Sequence, residues 1–317
     1  MRAHSRSLVG LAASLLVLLT ACAAPGVSSI VIEPAMRPVY PMLATYPDIQ
    51  LISDIAYGDD ASQTLDVCLP TPAKVDDLMG EPRPVIVSIH GGSWMRGDKS
   101  DFTWRAVCQW FAAEGFVTVS VNYRLAPANI FPAAFDDVQN VVRWIRDPAQ
   151  VQRFALDPGR IGAFGGSAGG NLAALLGTQG SGDWTTDSRV AAVVDLSGPN
   201  DVRAPIVTLD TYDRPFGDVQ LAYLGCTDFA DCPAAAAASP VAQVDATDPP
   251  FFVAHSLDEF LPLQQSESLV ATLHASGVPA TYVTVAGSLH SIAMLDAAMK
   301  QSVIAFLRGA LAFEAKV

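Results

Sequence analysis

The stretch that most constrains this chain is Gly165-Gly166-Ser167-Ala168-Gly169-Gly170. Before it, Arg160-Ile161-Gly162-Ala163-Phe164 reads as a short buried strand. After it, Asn171-Leu172-Ala173-Ala174-Leu175-Leu176 reads as the opening of a helix. A strand that turns sharply into a helix forces its corner residue into a strained backbone conformation. Small residues on both sides let the chain make that turn without clashes. The corner serine is then held up at the sheet edge with a helix N-terminus beneath it, which favours negative charge developing there. Ser167 is therefore a candidate nucleophile. A glycine-serine cluster also serves as an ordinary loop or helix start, so the rest of the chain has to supply a base, an acid and an oxyanion hole.

The remaining pattern is an alternation of apolar runs and amphipathic segments. Residues 84–90 form a near-continuous β-branched run, the signature of a strand covered on both faces. Further strands are expected at 49–57, 63–69, 116–121, 161–164, 190–196, 251–255 and 280–285. Helices are expected at 101–114, 133–146, after Ser167, at 263–275 and at 292–313. The first two strands, joined at Gly58-Asp59-Asp60, read as a hairpin at the sheet edge. This order predicts an α/β fold with a mostly parallel central sheet of about eight strands flanked by helices. Residues 198–250 form a long insertion after the sixth strand, read as a small cap at the strand ends.

The chain has 317 residues, 50% of them hydrophobic, enough for one large core. Its net charge of −13, with no basic cluster, argues against nucleic acid as a partner. Arg2, His4 and Arg6 precede an apolar run at 8–19 that is too short to span a bilayer. Leu19-Thr20-Ala21-Cys22 resembles the lipobox of bacterial lipoproteins. The resemblance implies removal of a signal peptide at 1–21, lipidation of Cys22, export, and anchoring to the cell-envelope membrane. The alternative is an ordinary secretory signal cut near Ala24. Residues 22–48, with Pro25, Pro34, Pro38, Pro41 and Pro47, read as a linker, and 49–317 as the folded domain. In an oxidising compartment the four remaining cysteines suggest disulfides. Cys226 with Cys232 is the first choice and Cys68 with Cys108 then follows by elimination; buried free thiols are the alternative. No cysteine or histidine spacing suggests a zinc site, and no cofactor is expected.

Parallel strands point their carboxyl ends to one edge, so loops after later strands can reach Ser167. His290, after the last strand, is the expected general base. His274 lies within a helix, and His255 ends a strand where a core histidine is the ordinary reading. Asp258, on the loop after residues 251–255, is the expected acid; Glu259 is its nearest rival and Asp195 a weaker one. The oxyanion hole is expected from the backbone N–H groups of Ala168, Gly91 and Gly92. His90 reads as a residue that fixes this loop. Ser93 and Trp94 are expected beside the substrate.

His90-Gly91-Gly92-Ser93-Trp94, Arg96-Gly97-Asp98-Lys99, Asn122-Tyr123-Arg124-Leu125-Ala126-Pro127, the Gly165 to Asn171 stretch and Asp258-Glu259-Phe260-Leu261-Pro262 together resemble α/β-hydrolase esterases. The similarity is to hormone-sensitive-lipase-like, feruloyl-esterase-like and kynurenine-formamidase-like carboxylesterases, and covers roughly residues 49–313. It implies a serine hydrolase acting on small-molecule esters through Ser167, Asp258 and His290. Ser93 departs from the pattern, standing where many members have a third glycine. The helical N-terminal cap of the lipase-like group is also replaced by proline-rich sequence, which favours the feruloyl-esterase-like side. Two other readings remain on the same fold: an amidase or peptidase, and a non-catalytic surface binding protein.

Overall fold

The apolar run before His90 becomes the strand around which the layers assemble. In this computed structural model, which describes residues 29–32, 46–70, 82–207 and 215–312, every residue of that strand is buried. The strands in chain order are β1 (Ser29–Ile32), β2 (Gln50–Ala56), β3 (Thr64–Leu69), β4 (Arg83–Ile89), β5 (Val117–Val121), β6 (Leu156–Gly166), β7 (Ala192–Leu196), β8 (Phe251–Ser256) and β9 (Ala280–Val285). They form one nine-stranded sheet in the order β1-β9-β8-β7-β6-β4-β5-β3-β2. Only the β2-β3 and β3-β5 pairs are antiparallel, so the expected hairpin lies at one edge.

The two faces of the sheet carry separate cores because side chains alternate along a strand. Val85, Val87 and Ile89 of β4 belong to one cluster and Ile86 to the other. The first face is covered by α2 (Ala133–Arg146), α4 (Ala168–Thr178) and α7 (Gln264–Ala275), through residues such as Val138, Val141, Leu172 and Leu269. The second is covered by α1 (Phe102–Ala113) and α8 (Ala297–Ala310), where Val107, Phe111, Val303 and Leu307 meet Phe164. Near-continuous apolar strands and one-sided helices are what a sheet with two covered faces demands.

The sequence reading departs from the structure at three places. The segment read as a linker contributes β1, whose Ser-Ile-Val-Ile run pairs in parallel with β9 and brings the sheet to nine strands. Four β-branched or small residues among prolines are too short a signal to stand out. Tyr46, in the same segment, packs against the second core cluster. Residues 148–154 form an unanticipated short helix, α3, opened by the Asp147 side chain accepting from Ala149 N–H and by a proline in the first turn. The closing helix begins at Ala297, with a 3-10 turn over Ser291–Met294 before it. The segment at 1–21 and Cys22 lie outside the described residues. The insertion after β7 contains α5 (Phe216–Leu224) and α6 (Ala234–Ala237).

Both cysteine pairs stand at bonding distance. Cys68 of β3 and Cys108 of α1 are joined, as are Cys226 and Cys232 in the insertion, each with sulfurs 2.08 Å apart. The first pair ties the edge hairpin to a helix across 40 residues of chain. Closing a loop of that length is worth about 4 kcal/mol in the chain-entropy account. Cys68→Ala with Cys108→Ala is therefore expected to lower the Tm by several degrees, and Cys226→Ala with Cys232→Ala by clearly less. Differential scanning calorimetry with and without reductant checks the ranking.

Candidate active site

β6 runs straight into α4, and Ser167 is the corner. Its φ of 58° and ψ of −128° lie in a region that residues with a Cβ rarely occupy. The turn is held from outside: Ser167 N–H donates to the Leu196 carbonyl at 2.9 Å, so the end of β7 fixes the corner. Ala168 is the first residue of α4, where the N–H groups have no partner within the helix. These are the features that place a serine side chain over a helix N-terminus.

The loop after β4 lies against the corner. A Cβ on Gly91 would stand 2.8 Å from the Gly166 carbonyl and 3.2 Å from Ser167 Cβ, so only a glycine allows this approach. Gly92 has φ +124°, and a side chain there would run into the Arg96 carbonyl. Gly91 and Ala168, named from the sequence as oxyanion donors, thus flank Ser167, and Gly92, named with them, follows Gly91 in the same loop. His90 acts as the brace the sequence suggested. It is buried, its Nδ1 donates to the Gly91 carbonyl at 2.7 Å, and its ring stacks on Tyr123 at 4.4 Å. The Tyr123 hydroxyl donates back to the His90 carbonyl at 2.9 Å. Burial pushes His90 below the usual imidazole range, which suits a neutral structural ring.

His290 arrives from the far side. Its neighbour Ser291 lies directly on Gly166, at a place a Cβ on that glycine would fill. Ser291 N–H also reaches Ser197 Oγ at 3.3 Å. The His290 loop is therefore packed against the residue preceding Ser167. Its acid partner is Glu259, with Nδ1 donating to Oε2 at 2.6 Å. The expected Asp258 is not in this position. β8 ends at Ser256, and Leu257 and Asp258 turn off it with their N–H groups donating to the Val285 and Gly287 carbonyls at 2.8 and 2.9 Å. In this turn both Leu257 and Asp258 face solvent, and the chain then brings Glu259 inward to 1% exposure. Chain order cannot resolve a one-residue phase.

Asp195, the weaker rival, has another task. It is fully buried beneath the turn after β7, accepting from Gly198 N–H at 2.8 Å and Asn200 Nδ2 at 2.7 Å. Burial raises its pKa to about 6, against the pull of those two bonds. Among the described residues no group of three or more His, Cys, Asp or Glu is arranged to hold a metal ion.

The insertion closes over this edge. Trp94, expected beside a substrate, is instead fully buried. It stacks flat on Tyr223 of α5 at 4.2 Å and donates from Nε1 to Asn171 Oδ1 at 3.2 Å. Asn171 Nδ2 donates in turn to the Pro199 and Ala238 carbonyls, at 3.0 and 3.1 Å. Trp94 and Asn171 thus fasten the insertion to α4, a role the sequence did not reveal. Ser93, expected beside a substrate, is partly exposed and follows Gly92 with φ 56°. Phe216 of α5 meets Phe260, whose ring edges against His290 at 4.4 Å.

A serine on a sharp strand-to-helix turn, with a glycine loop on one side and a carboxylate-paired histidine on the other, defines the α/β-hydrolase fold. The match to the family model BD-FAE over residues 65–273 places the chain more narrowly: it belongs to the BD-FAE family. It is similar to Esterase LipC of Mycobacterium tuberculosis, with 32% identity over 270 residues, 77% of this chain and 60% of that protein. It is also similar to the probable carboxylic ester hydrolase LipM of the same organism, with 30% identity over 81% of this chain and 60% of the relative. The chain thus spans about 60% of the length of these relatives. Among solved structures, a truncated carbohydrate esterase from gut microbiota superposes with a TM-score of 0.72 at 23% identity, covering 85% of this chain and 99% of the other. Esterase B from Lactobacillus rhamnosus superposes with a TM-score of 0.68 at 21% identity, over 85% of this chain and 87% of the other. These two likenesses speak for the fold.

Two outcomes follow from the placement of Glu259. In Glu259→Gln the amide can hold His290 in the wrong tautomer, so covalent labelling of Ser167 by a fluorophosphonate should slow by about 100-fold or more. Asp258→Asn should label within about twofold of wild type, as expected for an exposed residue. The order of the two rates, read by intact mass, tests the assignment. The second outcome concerns pH. Burial acts to raise the Glu259 carboxyl, but the His255 and His290 imidazoles outweigh it and hold it below the usual 4.5. Its contribution to stability is therefore present above about pH 4.5 and lost as pH falls through the lower folded-state value. The Tm gap between wild type and Glu259→Gln should narrow as pH is lowered through that range.

Proposed function

We propose that this chain is a serine carboxylesterase that cleaves small carboxylic esters through an acyl-enzyme. The observation that carries the proposal is the His290–Glu259 pair beside a backbone-strained Ser167. With Nδ1–H committed to the carboxylate, Nε2 carries the lone pair and can take the Ser167 proton as the hydroxyl attacks an ester carbonyl. The carbonyl oxygen, now negative, is met by the N–H groups of Ala168, Gly91 and Gly92. Protonated His290 then gives its proton to the departing alcohol. Glu259 stabilises the imidazolium while it lasts and remains ionised. Water, deprotonated by the same histidine, attacks the acyl-Ser167 ester and releases the acid.

The similar proteins named as esterases and ester hydrolases support the bond type. Support for a small acyl group comes from the insertion. Phe216 of the insertion packs against Phe260, whose ring edges against His290, while Tyr223 is pinned on Trp94. At the other end of the chain, the lipobox-like Leu19-Thr20-Ala21-Cys22 supports anchoring of the enzyme to the cell-envelope membrane. Loss of acyl labelling in Cys22→Ala would test that anchoring.

The direct test is hydrolysis of p-nitrophenyl acetate and butyrate by the wild type and by Ser167→Ala. Turnover by the wild type with a loss of about 10⁴-fold or more in the variant is expected. A wild type inert towards both esters and towards a fluorophosphonate would contradict the proposal. Phe216→Ala should shift the ratio of butyrate to acetate kcat/KM upward, since the substitution removes the aromatic face packed on Phe260.

A further inference from the structure

We infer that His255 is a positioning residue that supplies the counter-charge to Glu259 and thereby sets the pH at which His290 becomes available as a base. The inference rests on the triad proposed above. His255 is fully buried at the end of β8, and no substrate can reach it. Its Nε2 lies 2.5 Å from Glu259 Oε1, while His290 holds the other oxygen at 2.6 Å. One carboxylate therefore bridges two imidazoles. The His255 N–H is directed at the Leu261 carbonyl, 3.1 Å away, so the approach to Oε1 is a charge contact beside that hydrogen bond. Oε1 has no hydrogen-bond donor of its own among the described residues. Without His255 that oxygen would be stranded in a dry interior.

Charge bookkeeping makes the role specific. A buried carboxylate needs a cation or several donors, and His290 must be neutral at rest to act as a base. His255 is the remaining group at contact distance. Its Nδ1 lies 2.8 Å from Ser266 Oγ, so both ring nitrogens have an acceptor and the ring can carry two protons. The titratable groups around it are Glu259 and exposed Asp258 on its own loop, Asp195 on β7, His290 and Tyr282 from the β9 side, and Glu267 on α7. None of these brings a second permanent cation. Burial would lower His255, but the contact and charge of Glu259 outweigh it and hold the ring above its usual range, with Asp195 adding in the same direction. A charged His255 shares the negative charge of Glu259, so less of it is available to hold a proton on His290.

The test is His255→Gln, which keeps polar N–H groups at this position but removes the charge. Two readouts are used: the pH profile of kcat/KM for p-nitrophenyl acetate, and the pH at which the His290 ring signals titrate in ¹⁵N NMR. Both should move upward in the variant, by about one pH unit. Wild-type His255 should show both ring nitrogens protonated near neutral pH. Ser266→Ala, a milder change should His255→Gln fail to fold, should move the His290 titration in the same direction by less. An unmoved His290 titration, or a neutral His255 ring in the wild type, would overturn the inference. A rate loss equal at every pH would mark a merely structural residue and overturn it as well. The NMR readout does not require turnover. Absence of esterase activity would therefore sink the proposed function, while an unmoved NMR titration would sink the role of His255.

Discussion

The site depends on one backbone event, the turn from β6 into α4 at Ser167. A non-glycine residue at φ 58° costs free energy that the surroundings must offset. They do so by over-determining the corner. β7 accepts its N–H, the Gly91 loop presses on it from one side, and Ser291 sits on Gly166 from the other. Helix α4 is buried along its whole length, so the corner cannot relax by tilting the helix. Because the same contacts carry the Gly91 loop and the His290 loop, the strain and the assembly of the site have one cause.

A second feature is the polar interior under that corner. Glu259, His255, His290 and Asp195 lie within a region otherwise filled by strand side chains, and each is tied to named partners. In a low-dielectric interior these contacts are strong when complete and costly when broken. Ser266 and the Leu261 carbonyl fix His255, and the two imidazoles hold Glu259 inward. The site is thus defined as much by residues that never meet a substrate as by those that would.

Much of this was legible in the sequence. Strands buried on both faces write themselves as apolar runs, and Gly-x-Ser-x-Gly between a strand and a helix permits few other geometries. Parallel topology then sends the loops carrying His290, Gly91 and the acid to one edge, so their candidacy followed from order alone. What order could not give was phase. Asp258 and Glu259 differ by one residue, and the turn after β8 leaves the first exposed and buries the second. Trp94 shows a related limit: an aromatic beside a nucleophile can line a pocket or anchor a cap, and stacking on Tyr223 at 4.2 Å makes it the anchor. β1 was hidden because an edge strand of four residues carries little pattern, and its partner β9 lies some 250 residues away.

The most direct measurement is a crystal structure of the chain after reaction with a small alkyl phosphonate. The account predicts an adduct on Ser167 Oγ alone. Its phosphoryl oxygen should lie about 2.7–3.1 Å from the N–H groups of Ala168 and of Gly91 or Gly92. His290 should bridge the adduct to Glu259, with Asp258 in solvent. An adduct on another residue, or a His290 ring paired with Asp258, would contradict it.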